Sequence, residues 1–122
     1  MSTDKSLAEA QFKERIAKVR VRFISKLADT IQTVDAAFAH LTGDGDDAVA
    51  AVASTYRRFH DMAGVGSTIG FEATGRVART LDALLSGPFR DRRGLRDDEL
   101  AELKEGLGAL QMAVLMEIRP KD

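Results

Sequence analysis

From Ser6 to Leu41 the chain runs without Pro or Gly, and its apolar residues Phe12, Ile16, Val19, Phe23, Leu27, Ile31, Val34, Phe38 and Leu41 recur every three or four positions. That spacing keeps them on one side of a helix, whereas a strand would alternate from face to face. Ser6 followed by Glu9 has the spacing of a capping box, which predicts the helix start. A helix from Phe12 to Leu41 would be about 45 Å long, which leaves room for a bend or a separate N-terminal piece.

Thr42-Gly43-Asp44-Gly45-Asp46 reads as a turn, with aspartates placed to cap the next helix. Val49, Val52, Tyr56, Phe59 and Ala63 then hold the helical period, and glycines at 64, 66 and 70 weaken that second helix towards its end. Phe71, Thr74, Val77, Ala78, Leu81, Leu84 and Leu85 mark a third helix, for which Ser86-Gly87-Pro88 predicts the stop. A basic loop from Arg90 to Arg96 leads to a fourth helix carrying Leu100, Leu103, Leu107, Leu110, Val114 and Ile118. Asp97, Asp98 and Glu99 sit in its first turn, where the helix dipole favours them, and Pro120 closes the pattern. Met112 and Met116 are expected to pack in the core or at its edge. Gly106 and Gly108 inside this helix either permit close helix contact or are simply tolerated.

Four amphipathic helices joined by short connections predict an all-α fold, an antiparallel up-down four-helix bundle with room for a short or kinked N-terminal helical extension. No period of 20 to 50 residues repeats, which argues against a solenoid. The 122 residues fit a single domain, with a core expected over about residues 12–118.

Composition narrows the function. Against 18 Lys and Arg stand 19 Asp and Glu, a net charge of -1, so there is no global attraction to nucleic acid or to anionic lipid. The loop Arg90 to Arg96 has one neighbouring aromatic, Phe89, and reads as a solvated loop or the rim of a protein interface. With no cysteine, disulfides and thiolate metal sites are excluded, which suits a reducing compartment. No stretch has the length and hydropathy of a signal peptide or membrane span, and a cytoplasmic location is expected. No glycine-rich phosphate loop comes after a strand, so nucleotide hydrolysis has no support.

The candidate chemistry lies in Arg58-Phe59-His60-Asp61-Met62-Ala63-Gly64-Val65-Gly66-Ser67-Thr68-Ile69-Gly70-Phe71. On a helical wheel His60 falls about 70° from the centre of the apolar arc, at the border between core and water. Arg57 and Gly64 are its neighbours along the helix, and Asp61 and Ser67 are expected to share the outward side. A border imidazole, ordinarily titrating near pH 6.5, is largely uncharged at neutral pH and keeps a lone pair for attack. A phosphoryl group is a fitting electrophile, since its transfer depends on positioning and charge stabilisation, to which Arg57 can contribute. With no Cβ at Gly64, a partner's loop can come close to the ring. His60 and Asp61 lack further ligands at useful spacing, so no metal site is expected. His40, the second histidine, sits near the end of the first helix and reads as structural or surface.

These residues resemble the histidine-containing phosphotransfer (HPt) domains of multistep two-component phosphorelays. The family motif is a His, an apolar residue two on, commonly a Lys three on, a Gly four on and a second Gly ten on. His60, Met62, Gly64 and Gly70 match it, and Phe71 begins the next helix. The helical order agrees from about Phe12 to Leu115, while the specific motif covers Arg58 to Phe71.

The resemblance implies a phosphorelay intermediate without autokinase activity. His60 would accept a phosphoryl group from the aspartate of a receiver domain and pass it to another. Arg57, Arg58, Asp61, Gly64, Ser67 and Gly70 would form the environment of the phosphoryl group and receiver. The partners would be receiver domains of hybrid histidine kinases and response regulators. No cofactor is expected, magnesium belonging to the receiver, and a monomer is favoured although the long first helix could pair with a copy of itself. The departure is Ala63 at the common Lys position, with Arg57 placed to compensate from the other side. Asp61 adds negative charge beside the acceptor that Arg57 or Arg58 would have to neutralise. Ala63 and Asp61 also keep open the alternative of a degenerate HPt-like interaction module that binds receiver or helical partners without transfer.

Overall fold

A computed structural model describes the backbone of residues 2–118 and the side chains from residue 4 onward; the expected closure at Pro120 lies outside these residues. Four helices succeed one another, α1 (Ser2–Ala37), α2 (Asp46–Gly66), α3 (Glu72–Asp91) and α4 (Asp97–Glu117), with 3-10 turns at Phe38–His40 and Ser67–Ile69. They form the all-α bundle that the periodicity predicts. Phe59, Phe71, Leu27, Leu41, Leu81, Leu85, Leu103 and Leu110 are the largest fully buried side chains, drawn from every helix and from two connections.

The helix α1 runs unbroken from before both Ser6 and Phe12 and gives way to a 3-10 turn after Ala37, short of the expected end at Leu41. It starts before Ser6, so the predicted capping box falls inside the helix. At about 1.5 Å per residue its 36 residues span about 54 Å, against about 30 Å for each of the other helices, so it overhangs the bundle. Every residue from Asp4 to Arg15 is exposed. The apolar stripe is thus core only from Phe23 onward: Phe12, on the overhang, is 61% exposed, and Val19, at the edge of the packed region, 36%. The methionines of α4 differ from expectation for a geometric reason. Leu103, Leu107, Leu110 and Val114 occupy the inward arc, which at 100° per residue turns Met112 and Met116 to the outside, where they are 60% and 69% exposed.

Two further expectations fail at helix ends. No aspartate caps α2; Gly45 is its N-cap residue, and Asp46 and Asp47 lie in the first turn. The helix α3 does not stop at Ser86-Gly87-Pro88 but runs three residues further, ending where Arg92 adopts a left-handed φ of 54°. Pro88 costs one backbone hydrogen bond there, but it is buried, and Phe89 stacks on Tyr56 with ring centroids 4.4 Å apart, so packing holds the last turn down.

The central pair is α2 against α3. A Cβ added at Gly66 would stand 3.1 Å from the Gly75 Cα and 3.2 Å from the Phe71 carbonyl, so the two backbones touch where side chains would normally separate them. Between them Gly70 takes φ +90°, a conformation open to glycine at little cost, and the Phe71 N–H donates to the Gly66 carbonyl at 2.8 Å. From the far end of α4, Glu117 accepts the backbone N–H groups of Ala73 (3.1 Å) and Thr74 (2.6 Å) and the Thr74 hydroxyl (2.5 Å). Its carboxylate thereby fills orphan donors in the first turn of α3. Gly106 lies directly against Leu81, a close contact, whereas Gly108 faces open space.

At the opposite end the Leu95 N–H donates to the Leu41 carbonyl at 2.8 Å, joining the two loops. Beside it the nearly buried Glu99 takes Arg93 through both oxygens, at 2.7 and 3.0 Å, and accepts the Arg96 backbone N–H at 2.9 Å. The Arg93 guanidinium, against the opposing effect of burial, holds the Glu99 carboxyl down to about 2 from an ordinary 4.5. A carboxyl depressed on folding adds stability that is fully present above its unfolded value and is lost as pH falls through its folded one.

Two substitutions probe these ties. Gly66→Ala lowers stability by about 1–3 kcal/mol in urea denaturation at pH 7, because the new methyl meets backbone that cannot yield. Glu99→Gln lowers stability at pH 7 by about 2 kcal/mol, after discounting for the solvent around the arginines, and the gap to the wild type closes between pH 4.5 and pH 2 in the same measurement.

Candidate functional site

His60 lies on the solvent side of α2, with its side chain 62% exposed. Phe59 and Ala63 beside it point inward and are 0% and 5% exposed, so the helix is anchored through them while the imidazole is left outside. Tyr56, one turn earlier, stacks on the ring with centroids 5.7 Å apart and planes at 24°, and is itself stacked on Phe89 of α3. Gly64, one turn later, has nothing within 4 Å of where a Cβ would be. One flank of the ring is therefore supported and the other is open.

The third contact comes from α3. His60 Nδ1 lies 3.1 Å from Asp82 Oδ2. A carboxylate oxygen has no hydrogen to give, so the ring donates from Nδ1, and in the neutral ring the lone pair is then on Nε2. The Asp82 side chain is only 20% exposed and is held by its helix, which fixes the ring's orientation as well as its tautomer. The exposed imidazole thus has a carboxylate behind its Nδ1 side.

The residues around the histidine divide between two faces. The Arg57 guanidinium is 5.8 Å from the centre of the Phe89 ring, on the α3 side, where cation-π contact holds it. Arg58 and Asp61 face the other way. With Val19, Arg22, Phe23, Lys26, Met62 and Val65 they line a groove of about 190 Å³ between α1 and α2. Asp61 and Ser67 are both exposed, but Asp61 lines this groove with Arg22, Lys26 and Arg58, and Ser67 does not. Ser67 lies with Glu72, Gly75, Arg76 and Arg79 in a second cleft of about 200 Å³, at the α2–α3 turn. Gly70 shapes that turn, and His40 is exposed in the 3-10 turn after α1, far along the chain from this cluster.

A family model of the Hpt domain matches residues 18–113. The chain belongs to the Hpt domain family. No curated protein and no solved structure matches it. Hpt domains are helical bundles that serve histidine phosphotransfer in phosphorelays and interact with receiver domains. The matched residues take in His60 and all of α2 and α3, and they begin at Lys18, beyond most of the exposed overhang of α1. Among the described residues of this Hpt domain no three His, Cys, Asp or Glu side chains converge as a metal site, and no helix is long and apolar enough to cross a membrane.

Asp82, Arg76 and Arg79 were not singled out by the sequence pattern. A signal for Asp82 was nonetheless present. Folding the chain back at Gly70 and Phe71 sets residue 66 opposite 75 and residue 60 opposite 82, the pairs that meet in the structure. Asp82→Ala is expected to release the ring: in 15N-NMR the wild-type His60 shows protonated Nδ1 and unprotonated Nε2 at pH 8, and the variant shows a mixture of both tautomers. An unchanged tautomer in the variant would mean that Asp82 does not set it.

Proposed function

We propose that this Hpt domain is a phosphorelay intermediate in which His60 takes a phosphoryl group from a receiver-domain aspartate and hands it to a second receiver. The reading rests on one observation above all, an outward imidazole whose Nδ1 is held by Asp82 while the flank towards Gly64 is open. Nε2 attacks phosphorus in line, the bond between phosphorus and the aspartyl oxygen breaks, and its electron pair returns to the receiver's carboxylate. No proton moves in this step. The ring, already protonated on Nδ1, becomes a phosphoimidazolium, and the Asp82 carboxylate beside Nδ1 offsets the positive charge that develops. The second transfer runs the same step in reverse towards another carboxylate. This chain brings no cofactor of its own to that chemistry, the magnesium ion being part of the receiver's pocket. The lack of cysteine suits action in the cytoplasm, where we place it.

The family's common lysine is replaced by Ala63, which is 5% exposed, and this favours a second reading: a module that docks receivers without transfer. The two separate in one experiment. Incubated with a panel of phosphorylated receiver domains, the wild type is expected to gain an acid-labile, base-stable phosphate and His60→Gln none, with receiver affinity kept. If wild type stays unlabelled by every receiver while still binding one, and His60→Gln preserves cellular output, the docking module is the correct reading.

A further inference from the structure

We propose that Arg79, assisted by Arg76, binds the phosphoryl group carried on His60, supplying from α3 the positive charge that Ala63 does not supply from α2. The proposal rests on the phosphorelay reading of His60. Its geometry comes from two fixed points on the α2–α3 pair. Gly75 backs directly onto Gly66, and Asp82 holds His60 at 3.1 Å. Arg79 lies between Gly75 and Asp82 on α3, so in an antiparallel pair it is level with Met62 and Ala63 on α2. Being three residues before Asp82, it shares that residue's flank of α3, about 4.5 Å along the axis.

Next to that level, one turn from the imidazole, is the gap at Gly64, where no atom stands within 4 Å of the place a Cβ would take. Arg79 and Arg76 are both exposed and both line the cleft that Ser67 and Gly75 floor, with Glu72 as the one carboxylate in that lining. Among the described residues neither guanidinium is committed to an ion pair. The other arginines close in sequence are spent elsewhere, Arg57 over Phe89 and Arg58 in the groove against α1. A phosphoryl group brings about two negative charges to Nε2, and a guanidinium fork matches its oxygens.

Phosphoramidate tests this without any receiver. It is a small donor whose P–N bond breaks as the Nε2–P bond forms, the departing nitrogen leaving as ammonia. His60 phosphorylation is tracked by 31P-NMR, with His60→Gln as the blank and Arg15→Ala, on the exposed overhang of α1, as the charge-matched control. Arg79→Ala is expected to slow labelling about tenfold, Arg79→Lys to restore it to within about threefold, and Arg76→Ala to cause a smaller loss. Arg79→Ala labelling at the wild-type rate overturns the proposal, as does a loss seen only with receivers, which would make Arg79 a docking residue. The phosphorelay reading fails separately, if phosphoramidate labels His60 in an Arg79-dependent way and no receiver does. A wild type that receivers label and phosphoramidate cannot also overturns the proposal, since no charge of this chain alone then promotes phosphorylation, while the phosphorelay reading stands. Circular dichroism melts of the variants, expected to match the wild type because both arginines are exposed, separate these results from misfolding.

Discussion

Where Gly66 meets Gly75, the backbones of α2 and α3 come into contact with no side chain between them. Everything at the site depends on that closeness. It draws α3 near enough for Asp82 to reach the His60 ring, brings Phe89 under Tyr56, and sets Arg76 and Arg79 of α3 in one cleft with Ser67 of the α2–α3 turn. A larger residue at either glycine would push the helices apart by a fraction of an ångström at the turn. It would act as a lever on a hydrogen bond several residues away.

The two ends of the bundle are tied differently. At the loop end the tie is ionic, with the nearly buried Glu99 held by Arg93 and by the backbone of Arg96. At the turn end it is a carboxylate from the last residue of α4 laid over the first turn of α3. The second tie lies close to the site in the fold, and it holds the N-terminus of the helix that carries Asp82 and Arg79. The electrostatics of the imidazole and the mechanical anchoring of its partner helix are therefore separate, and each can change without the other.

Much of this was legible in the sequence, because a 3.6-residue period is a local property. The four helices, the inward arc of α2, the border position of His60 and the gap at Gly64 all come from spacing along one element. The elements that were misread depend on what stands opposite. Phe12 continues the apolar stripe of α1 out on the overhang, and Val19 only borders the open groove against α2, yet periodicity counted both as core. Pro88 reads as a stop until the stack of Phe89 on Tyr56 is known, and the groove that Asp61 lines exists only once α1 is set against α2. Asp82 and Arg79 belong to the site only through the register of one helix on another, which no single-helix pattern encodes.

The stack of Tyr56 on His60 has one more consequence. The chain contains a single tyrosine and no tryptophan. Its only strong near-ultraviolet fluorophore therefore rests against the ring on which the chemistry turns, 5.7 Å from it. A change in the charge or tilt of that ring is written into the emission of the unmodified protein, which carries a built-in optical reporter of its own site.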